Sequence, residues 1–471
     1  MPTTTEHKQE ARFSCAGLVT AAQRSTRPVW QNSLSRGDFL EVFSSHSLVV
    51  CLCRLCAVPL STVCLPEIYE NMKTGSLTTM SSPEEKDVRY RFHWKDEGPD
   101  DTPEMPARSQ EFNPVIKIAT SIIMGVLFGL ALEKGRVFEP QIIRQQMVLQ
   151  NFTMMKMFVS ASATGMLVFS FLTMIPATRR KMQRAVQEYM CGLRYKTIFG
   201  TGLGAAILGT GMTLAGACPG MVLAQVGAAV PHSVLTVTGG LLGVYLYALT
   251  DPVLPYSIYR KRAKQPSKLD EQMGTPYFNM ALPLAALMGL FVFGLEVFFP
   301  WTTEVEQSGS GLFGLRSWPP FVVGMLIGSL QAPAVLILHD TLGSSSSYCT
   351  IASQALHIPP LERPLAYLSG FTSGMSNWWQ VIFVGGAVVG AHLSAQASGT
   401  LHTVDGVGPM SALVGGLLMI FGARMASGCT SGHGLSGMGL LSLHSLVAVP
   451  AMFAGAIGTG CLMKYALEVD M

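Results

Sequence analysis

From Pro114 onward, apolar stretches of about 20 residues alternate with short polar segments. A helix of that length crosses the ~30 Å hydrocarbon core of a bilayer. The pattern therefore predicts an all-α membrane protein with about nine transmembrane helices, interrupted in places by short re-entrant helices. The predicted spans are residues 114–132, 153–175, 197–217, 232–250, 278–299, 318–339, 377–396, 408–428 and 446–465.

The chain before these spans has a different pattern. Residues 1–110 are polar, mixed in charge and rich in Pro and Ser, which predicts a disordered or targeting N-terminal tail. Its apolar segment at 47–65 is broken by Arg54 and Pro59. The favoured interpretation is a plain tail segment, or a stretch upstream of an internal start at Met72 or Met80, and the alternative is a signal anchor or part of a targeting sequence. The rest divides into a first membrane repeat (111–250), a basic linker with a connector helix (251–300) and a second membrane repeat (301–471).

Composition agrees with a membrane location. Of 471 residues, 49% are hydrophobic and 13% are charged, against about 25% charged in soluble domains. A net charge of +3 without a basic, aromatic-interleaved stripe excludes nucleic acid as a partner. The ten cysteines are scattered, with one C-x-x-C at Cys53 and Cys56, so a disulfide framework is not expected.

The loop charges predict an orientation. Two linkers that share one face are basic, and the positive-inside rule makes that face cytoplasmic. The tail is then inside, the C-terminus outside, and the plasma membrane is the expected location. The basic residues are Arg179, Arg180, Lys181, Arg184, Arg194 and Lys196 after the second span, and Arg260, Lys261, Arg262, Lys264 and Lys268 after the fourth.

Small residues recur at G-x-x-x-G spacing within five spans. This spacing lets membrane helices approach closely, so it supports a compact bundle without identifying a site. The pairs are Gly125 and Gly129, Gly200 and Gly204, Gly239 and Gly243, Gly324 and Gly328, and Gly386 and Gly390.

An internal repeat appears at an offset of 211 residues, since 429 minus 218 is 211. "GAAILGTGMTLAGAC" (204–218) lies over "GGLLMIFGARMASGC" (415–429), with two glycines, an alanine and the cysteine identical. The third span then matches the eighth, five crossings later, and an odd number of crossings inserts the second copy upside down. The prediction is an inverted four-plus-four repeat with the fifth span as connector, an architecture that secondary transporters use.

Both repeated cysteines come where a helix is interrupted. Pro219 and Gly220 follow Cys218, and Pro219 suits the start of a short helix. Thr430, Ser431 and Gly432 follow Cys429, and Thr430 or Ser431 is expected to cap another. Exposed N–H groups at such breaks attract anions without a Lys or Arg. A buried, protonated thiol is a soft, polarizable contact, so the pattern favours a pathway for a small sulfur-containing anion.

Two further polar residues lie at this depth. His433 is four residues from Cys429, but four ligands for tetrahedral zinc are lacking, so a polar gate or a helix cap is expected, with no metal and no cofactor. Arg424 costs roughly 2.5–3.5 kcal/mol to insert; it either faces the path and attracts anions or pairs with a carbonyl at a helix end. The offset of 211 also pairs Phe138 with Cys349, in the Ser-rich break "LGSSSSYC", and makes Cys349 a candidate for the pathway.

At these motifs the chain resembles the YeeE/YedE family, the sulphur transport domain family that includes bacterial thiosulfate transporters. "FGARMASGCTSGHGLSG", "GTGMTLAGACPG" and "FGLALEKGRVFEPQIIR" carry the resemblance. It implies an hourglass-shaped protein of nine spans that passes thiosulfate inward along three cysteines. Cys218 and Cys429 match two of them. The chain departs at the third, where Phe138 stands, and Cys349 is the candidate replacement.

The predicted function is therefore import of a small sulfur anion, with no enzyme activity and with a sulfurtransferase as a possible partner. One alternative is a membrane-embedded sulfurtransferase-like thiol enzyme with Cys429 as nucleophile and His433 as base. Another is a structural or signalling membrane protein that binds no sulfur anion.

Overall fold

Helices joined by turns and short loops make up the described part of the chain. The computed structural model describes residues 113–255, 258, 267–309, 311, 314–358, 361 and 363–468, and these ranges contain no strand. The predicted tail at 1–110, with its apolar segment, lies outside the described residues. The same is true of Arg260, Lys261, Arg262 and Lys264, on which part of the orientation argument depends.

Nine helices in the described ranges are long and apolar enough to cross a membrane, which confirms the predicted fold class. Each coincides with a predicted span, with small differences at the ends. Their bounds are Pro114–Lys134, Thr153–Met174, Ile198–Ala215, Ser233–Val253, Tyr277–Phe298, Pro320–Leu338, Met375–Ala397, Pro409–Ala426 and Leu443–Ala466.

The first half of the described chain contains seven α-helices. They are α1 (Pro114–Lys134), α2 (Pro140–Met147), α3 (Thr153–Met174), α4 (Pro176–Cys191), α5 (Ile198–Ala215), α6 (Met221–Gly227) and α7 (Ser233–Thr250). Helix α1 begins where Asn113 accepts a hydrogen bond from the Val115 N–H, and α5 begins where Thr197 accepts one from the Gly200 N–H. Side chains thus satisfy N–H groups that the helix ends leave free.

The remaining α-helices are α8 (Leu269–Met273), α9 (Tyr277–Phe298), α10 (Trp301–Glu304), α11 (Pro320–Ser329), α12 (Ser345–Ser353), α13 (Met375–Ala397), α14 (Pro409–Ala426) and α15 (Leu443–Cys461). The span of α11 continues through a turn at Gln331–Pro333 and a π-helical turn at Ala334–Leu338, and π-helical turns also occupy Thr430–Gly437 and Leu462–Ala466. In the described ranges, the connections include the 3₁₀ turns Asp251–Val253, Gln354–His357 and Ala366–Phe371.

Helices α5 and α14 cross in antiparallel directions at the centre of the bundle. A Cβ added to Gly204 would lie 2.5 Å from the Ala426 nitrogen, and one added to Gly415 would lie 2.4 Å from the Ala215 nitrogen. The two pairs are equivalent under the offset of 211, since Gly204 corresponds to Gly415 and Ala426 corresponds to Ala215. Backbones this close require glycine, because any side chain would force the helices apart.

The outer helices pack in pairs that exchange in the same way. Helix α1 packs on α13 and α11 packs on α3, while α7 packs on α14 and α15 packs on α5. The counterparts are α1 and α11, α3 and α13, α5 and α14, and α7 and α15. Replacing both helices of the α1–α13 pair by their counterparts gives the α11–α3 pair, and the same replacement in the α7–α14 pair gives the α15–α5 pair. These pairings and the α5–α14 crossing are the ones that an inverted repeat would produce, and the repeat with α9 as its connector stays a prediction.

Helix α9 lies at the edge of the bundle. Of its 22 residues, Ala281, Ala285 and Val292 are buried, and it packs against α3. Large apolar side chains such as Leu290 and Phe293 are exposed, as expected for a face that contacts lipid.

Candidate functional site

The two helix breaks have the same backbone geometry. Helix α5 ends at Gly216 with φ of 57°, and α14 ends at Ser427 with φ of 61°. In both cases the N–H of the following residue donates to the carbonyl five residues earlier. Ala217 donates to Met212 at 3.1 Å, and Gly428 donates to Ala423 at 2.9 Å. The repeated sequence therefore ends two central helices with one turn, although a serine takes the left-handed position in the second copy.

Each cysteine follows its break and begins the next turn of helix. The Cys218 carbonyl accepts the Val222 N–H at 3.0 Å, and the Cys429 carbonyl accepts the His433 N–H at 2.8 Å. Both side chains are buried, with 6% and 1% of their surface exposed. The two thiols thus occupy matching positions inside the protein.

The short helices after the breaks start differently from the sequence expectation. Helix α6 begins at Met221, so Pro219 and Gly220 lie in the turn before it. In the second half the π-helical turn begins at Thr430, its preceding residue is Cys429, and no side chain caps it. The expectation that Thr430 or Ser431 caps this helix is therefore wrong.

A cavity of about 40 Å³ lies between the two halves, next to the first break. Most of its wall is apolar and includes Phe128, Phe158 and Phe453. Cys218 from the first half and Thr430 and Ser431 from the second also line it, and the surface they present to the cavity is apolar. Residues of both breaks thus border one space.

Cys218 is one of the residues that line the cavity. Its sulfur accepts the Met221 N–H at 3.4 Å, and the Thr430 hydroxyl lies beside it. Gly220 lines the cavity as well, and a Cβ there would lie 3.3 Å from the Phe128 ring and 3.6 Å from the Ser344 hydroxyl. A side chain at Gly220 would therefore fill the space between that ring and that hydroxyl.

Cys429 lies among hydroxyl groups just beyond the cavity wall. Its sulfur is 3.1 Å from the Ser431 hydroxyl and 3.7 Å from the Ser344 hydroxyl. A Cβ on Gly432 would lie 3.9 Å from the same sulfur. The hydroxyl of Tyr348 lies within electrostatic range of both thiols and has no hydrogen-bond partner among the described residues. The second thiol is therefore surrounded by potential hydrogen-bond donors.

His433 stabilises the end of α14. Its Nε2 is 3.1 Å from the Ala426 carbonyl oxygen, and its Nδ1 is 3.0 Å from the Ser445 hydroxyl and 3.4 Å from the Tyr189 hydroxyl. Both ring nitrogens are thus engaged away from Cys429. This geometry favours the helix-capping role over that of a base for the thiol.

Arg424 is held by a thiol. Its Nη1 donates to the Cys349 sulfur at 3.2 Å, its guanidinium lies 6.0 Å from the centre of the Phe371 ring, and 5% of the residue is exposed. A planar cation over an aromatic face gains cation–π attraction. Neither Arg424 nor Cys349 lines the cavity, so the two form a separate internal contact.

The offset of 211 does not extend to the pair of Phe138 and Cys349. Gln225 donates to the Phe138 carbonyl, and its counterpart Ser436 donates to the Leu342 carbonyl. Phe138 thus corresponds in position to Leu342, at an offset of 204, because the stretch from this loop to the central helix break is seven residues longer in the second half (342–429) than in the first (138–218). Cys349 lies within α12 rather than in the preceding loop.

Sequence patterns did not identify the methionine-lined wall of the cavity. Five thioether side chains line it: Met154, Met157, Met212, Met221 and Met452. They come from four helices that are distant in sequence, so no local spacing could reveal them. Ser344 and Tyr348 were also missed as individual residues, although they lie in the Ser-rich break that the sequence singled out.

In the described ranges, no three His, Cys, Asp or Glu side chains group as metal ligands. The fold and the site thus define a class, a multi-pass integral membrane protein with an internal cavity at paired helix breaks. The sulphur transport family model matches residues 134–458, and the chain belongs to that family.

Three curated relatives agree with this family. The thiosulfate transporter TsuA of Spirochaeta thermophila is 23% identical over 348 residues, covering 70% of this chain and 94% of the relative. TsuA of Escherichia coli is 24% identical over 358 residues, covering 72% and 92%. A probable transporter of Xylella fastidiosa is 26% identical over 146 residues, covering 31% and 94%. All three are named as transporters, which supports the prediction of a non-enzyme.

Proposed function

We propose that this chain imports thiosulfate through the bundle, past Cys218 and then Cys429. The observation that carries the proposal is the meeting of two matched helix breaks at one cavity, each with a buried thiol. The names of the two TsuA relatives support thiosulfate as the anion.

The chemistry of the path suits an anion with a soft sulfur atom. A buried ion needs hydrogen-bond donors in place of water, and the hydroxyls nearest the two thiols are those of Thr430, Ser431 and Ser344. The thiols add polarizable contacts that do not require a charged residue. No covalent step is needed, because weak successive contacts let the ion move on.

The orientation forms part of the proposal. With the basic linkers in the cytoplasm, the Cys218 side of the cavity faces outward and Cys429 lies nearer the inside of the plasma membrane. A sulfurtransferase that consumes thiosulfate at the inner face is the partner that this direction of transport favours. Labelling of single cysteines placed at two exposed positions, Leu149 between α2 and α3 and Arg180 in α4, checks the orientation, and outside labelling of the second site alone contradicts it.

Uptake of labelled thiosulfate by a sulfur-starved host that expresses the chain tests the function. We expect Cys218→Ala and Cys429→Ala to abolish uptake at unchanged expression. Cys461→Ala is the matched control, because Cys461 is a half-buried cysteine at the end of α15, away from the cavity. No uptake by the wild-type chain refutes thiosulfate import, and full uptake by both variants removes the thiols from the path.

A further inference from the structure

Helix α4 is an amphipathic helix at one end of the bundle. Met182, Ala185 and Met190 are buried on one of its faces, and the helix packs against α3 and the π-helical turn at Ala334–Leu338. Its exposed polar residues are Arg179, Arg180, Gln183, Gln187 and Glu188. A helix with this division of faces suits the boundary between lipid tails and headgroups.

The corner between α3 and α4 places the two arginines near the membrane surface. Thr178 donates a hydrogen bond to a carbonyl in the last turn of α3 at 2.7 Å, which fixes the direction in which α4 leaves α3. That end of α3 exposes Phe171 (64%) and Met174 (61%), as expected for side chains that contact lipid tails. Arg179 and Arg180 follow within the next two turns and are exposed. They therefore lie just beyond the lipid-facing surface, at the level of the headgroups.

The two arginines have no counter-ion in the part of the chain that the structure describes. Other exposed or half-exposed cations there do have one, since Lys268 pairs with Glu271 at 2.8 Å and Arg316 pairs with Glu306 at 2.7 Å. A guanidinium is a planar fork of donors that matches the oxygens of a phosphate. At headgroup level, phosphate is the anion that a bilayer supplies.

We propose that Arg179 and Arg180 bind the phosphate of an anionic lipid headgroup, and that α4 transmits this binding to the turn after Cys429. Each arginine near an anionic membrane surface strengthens binding about fivefold. Arginine also keeps its aliphatic part against apolar surface while its charged end reaches the headgroups. The proposal concerns a lipid and does not depend on which ion the chain transports.

The last turn of α4 contacts the π-helical turn at Thr430–Gly437, which follows Cys429. The Tyr189 hydroxyl is 2.8 Å from the Ser445 hydroxyl and 3.4 Å from Nδ1 of His433. Since His433 belongs to this turn, a lipid that holds α4 in place also restricts the turn. Binding to the folded arrangement stabilises it by mass action.

Thermal unfolding of the purified protein in detergent, titrated with phosphatidylglycerol, tests the lipid site. We expect this lipid to raise the unfolding temperature of the wild type. The double variant Arg179→Gln with Arg180→Gln should need roughly 25 times more lipid for half of the effect, because two fivefold contributions are lost. Lys117→Gln with Lys464→Gln is the control, since it removes the same charge from the first and last spans. The control should respond as the wild type does.

The source of the phosphate is tested with phosphatidylcholine, which carries no net charge, and with glycerol phosphate, which is soluble. We expect neither to match phosphatidylglycerol. Equal stabilisation by phosphatidylcholine would mean a general effect of lipid, and equal stabilisation by glycerol phosphate would mean a site for soluble phosphate. Either result overturns the proposal, as does an equal response of the arginine variant and the control.

Hydrogen exchange of the backbone amides at 430–437 tests the transmission through α4. Phosphatidylglycerol should slow this exchange in the wild type. Tyr189→Phe removes the hydroxyl and keeps the ring, so it should retain the lipid-dependent rise in unfolding temperature and lose the slower exchange. Exchange that lipid leaves unchanged in the wild type, or slower exchange that persists in Tyr189→Phe, contradicts this route. Neither measurement uses uptake, so failure of the proposed import would not alter the outcome.

Discussion

At the scale of single residues, the site depends on what each thiol contacts. Cys218 borders the cavity and Cys429 lies among hydroxyls, whereas Cys349 binds Arg424 away from the cavity. Three buried cysteines of similar appearance in the sequence therefore have different surroundings. Cys218 and Cys429 are the two that we propose for the path.

We expect Cys349→Ala to lower stability more than transport. The substitution leaves the Arg424 guanidinium without its sulfur partner inside the protein, and an unpaired buried cation is destabilising. The unfolding temperature of the purified protein should fall, while uptake per folded molecule stays near that of the wild type. Cys349→Ser, which keeps an acceptor, is the control. Loss of uptake at an unchanged unfolding temperature would instead place Cys349 on the path.

His433 gives a second prediction at this scale. Replacing it with alanine removes partners from the Ala426 carbonyl and the Ser445 hydroxyl, so the free energy of unfolding should fall by about 1–3 kcal/mol. Thermal unfolding in detergent measures the change, with His433→Gln as a variant that keeps one donor. Unchanged stability in the alanine variant contradicts the capping role.

At the scale of elements, glycine sets the distance between helices. A Cβ on Gly211 would lie 2.3 Å from the Met419 nitrogen of α14, whereas a Cβ on Gly289 in α9 meets no atom within 4 Å. A larger residue at Gly211 would therefore push the helices apart, whereas one at Gly289 has space. The crossing of α5 and α14 fixes where both breaks lie, so it also fixes the cavity.

We predict that Gly211→Ala strongly reduces the yield of monodisperse protein, because the central helices have to separate to admit the methyl group. Gly289→Ala should leave the yield and the unfolding temperature unchanged or slightly improved, as alanine favours a helix more than glycine does. Fluorescence-detected gel filtration compares the two. Equal yields would mean that the crossing is looser than described.

At the scale of the whole molecule, ligand binding should stabilise the bundle. The site is built from both halves, so an anion bound there holds the halves together. At 100 times the dissociation constant, thiosulfate should add about 2.7 kcal/mol to the free energy of unfolding. Thermal unfolding of the purified protein with equal concentrations of thiosulfate and of sulfate tests this. Equal stabilisation by both salts points to a general salt effect and contradicts a selective site.

The sequence by itself determined the nine spans and the places where two of them stop. Apolar runs long enough for the bilayer have one stable form, the helix, because lipid offers no partner for free backbone groups. Glycine and a following cysteine at an offset of 211 then marked both breaks. This part of the prediction depended on local patterns, which a sequence displays directly.

Only the tertiary structure decided which side chains share a space. Met154, Met212 and Met452 lie on three separate helices, and their convergence on Cys218 follows from helix packing. Tertiary structure likewise directed Cys349 to Arg424 and His433 to the end of α14. Contacts between distant segments depend on crossing geometry and loop lengths, and these are properties of the packed bundle that no local pattern records.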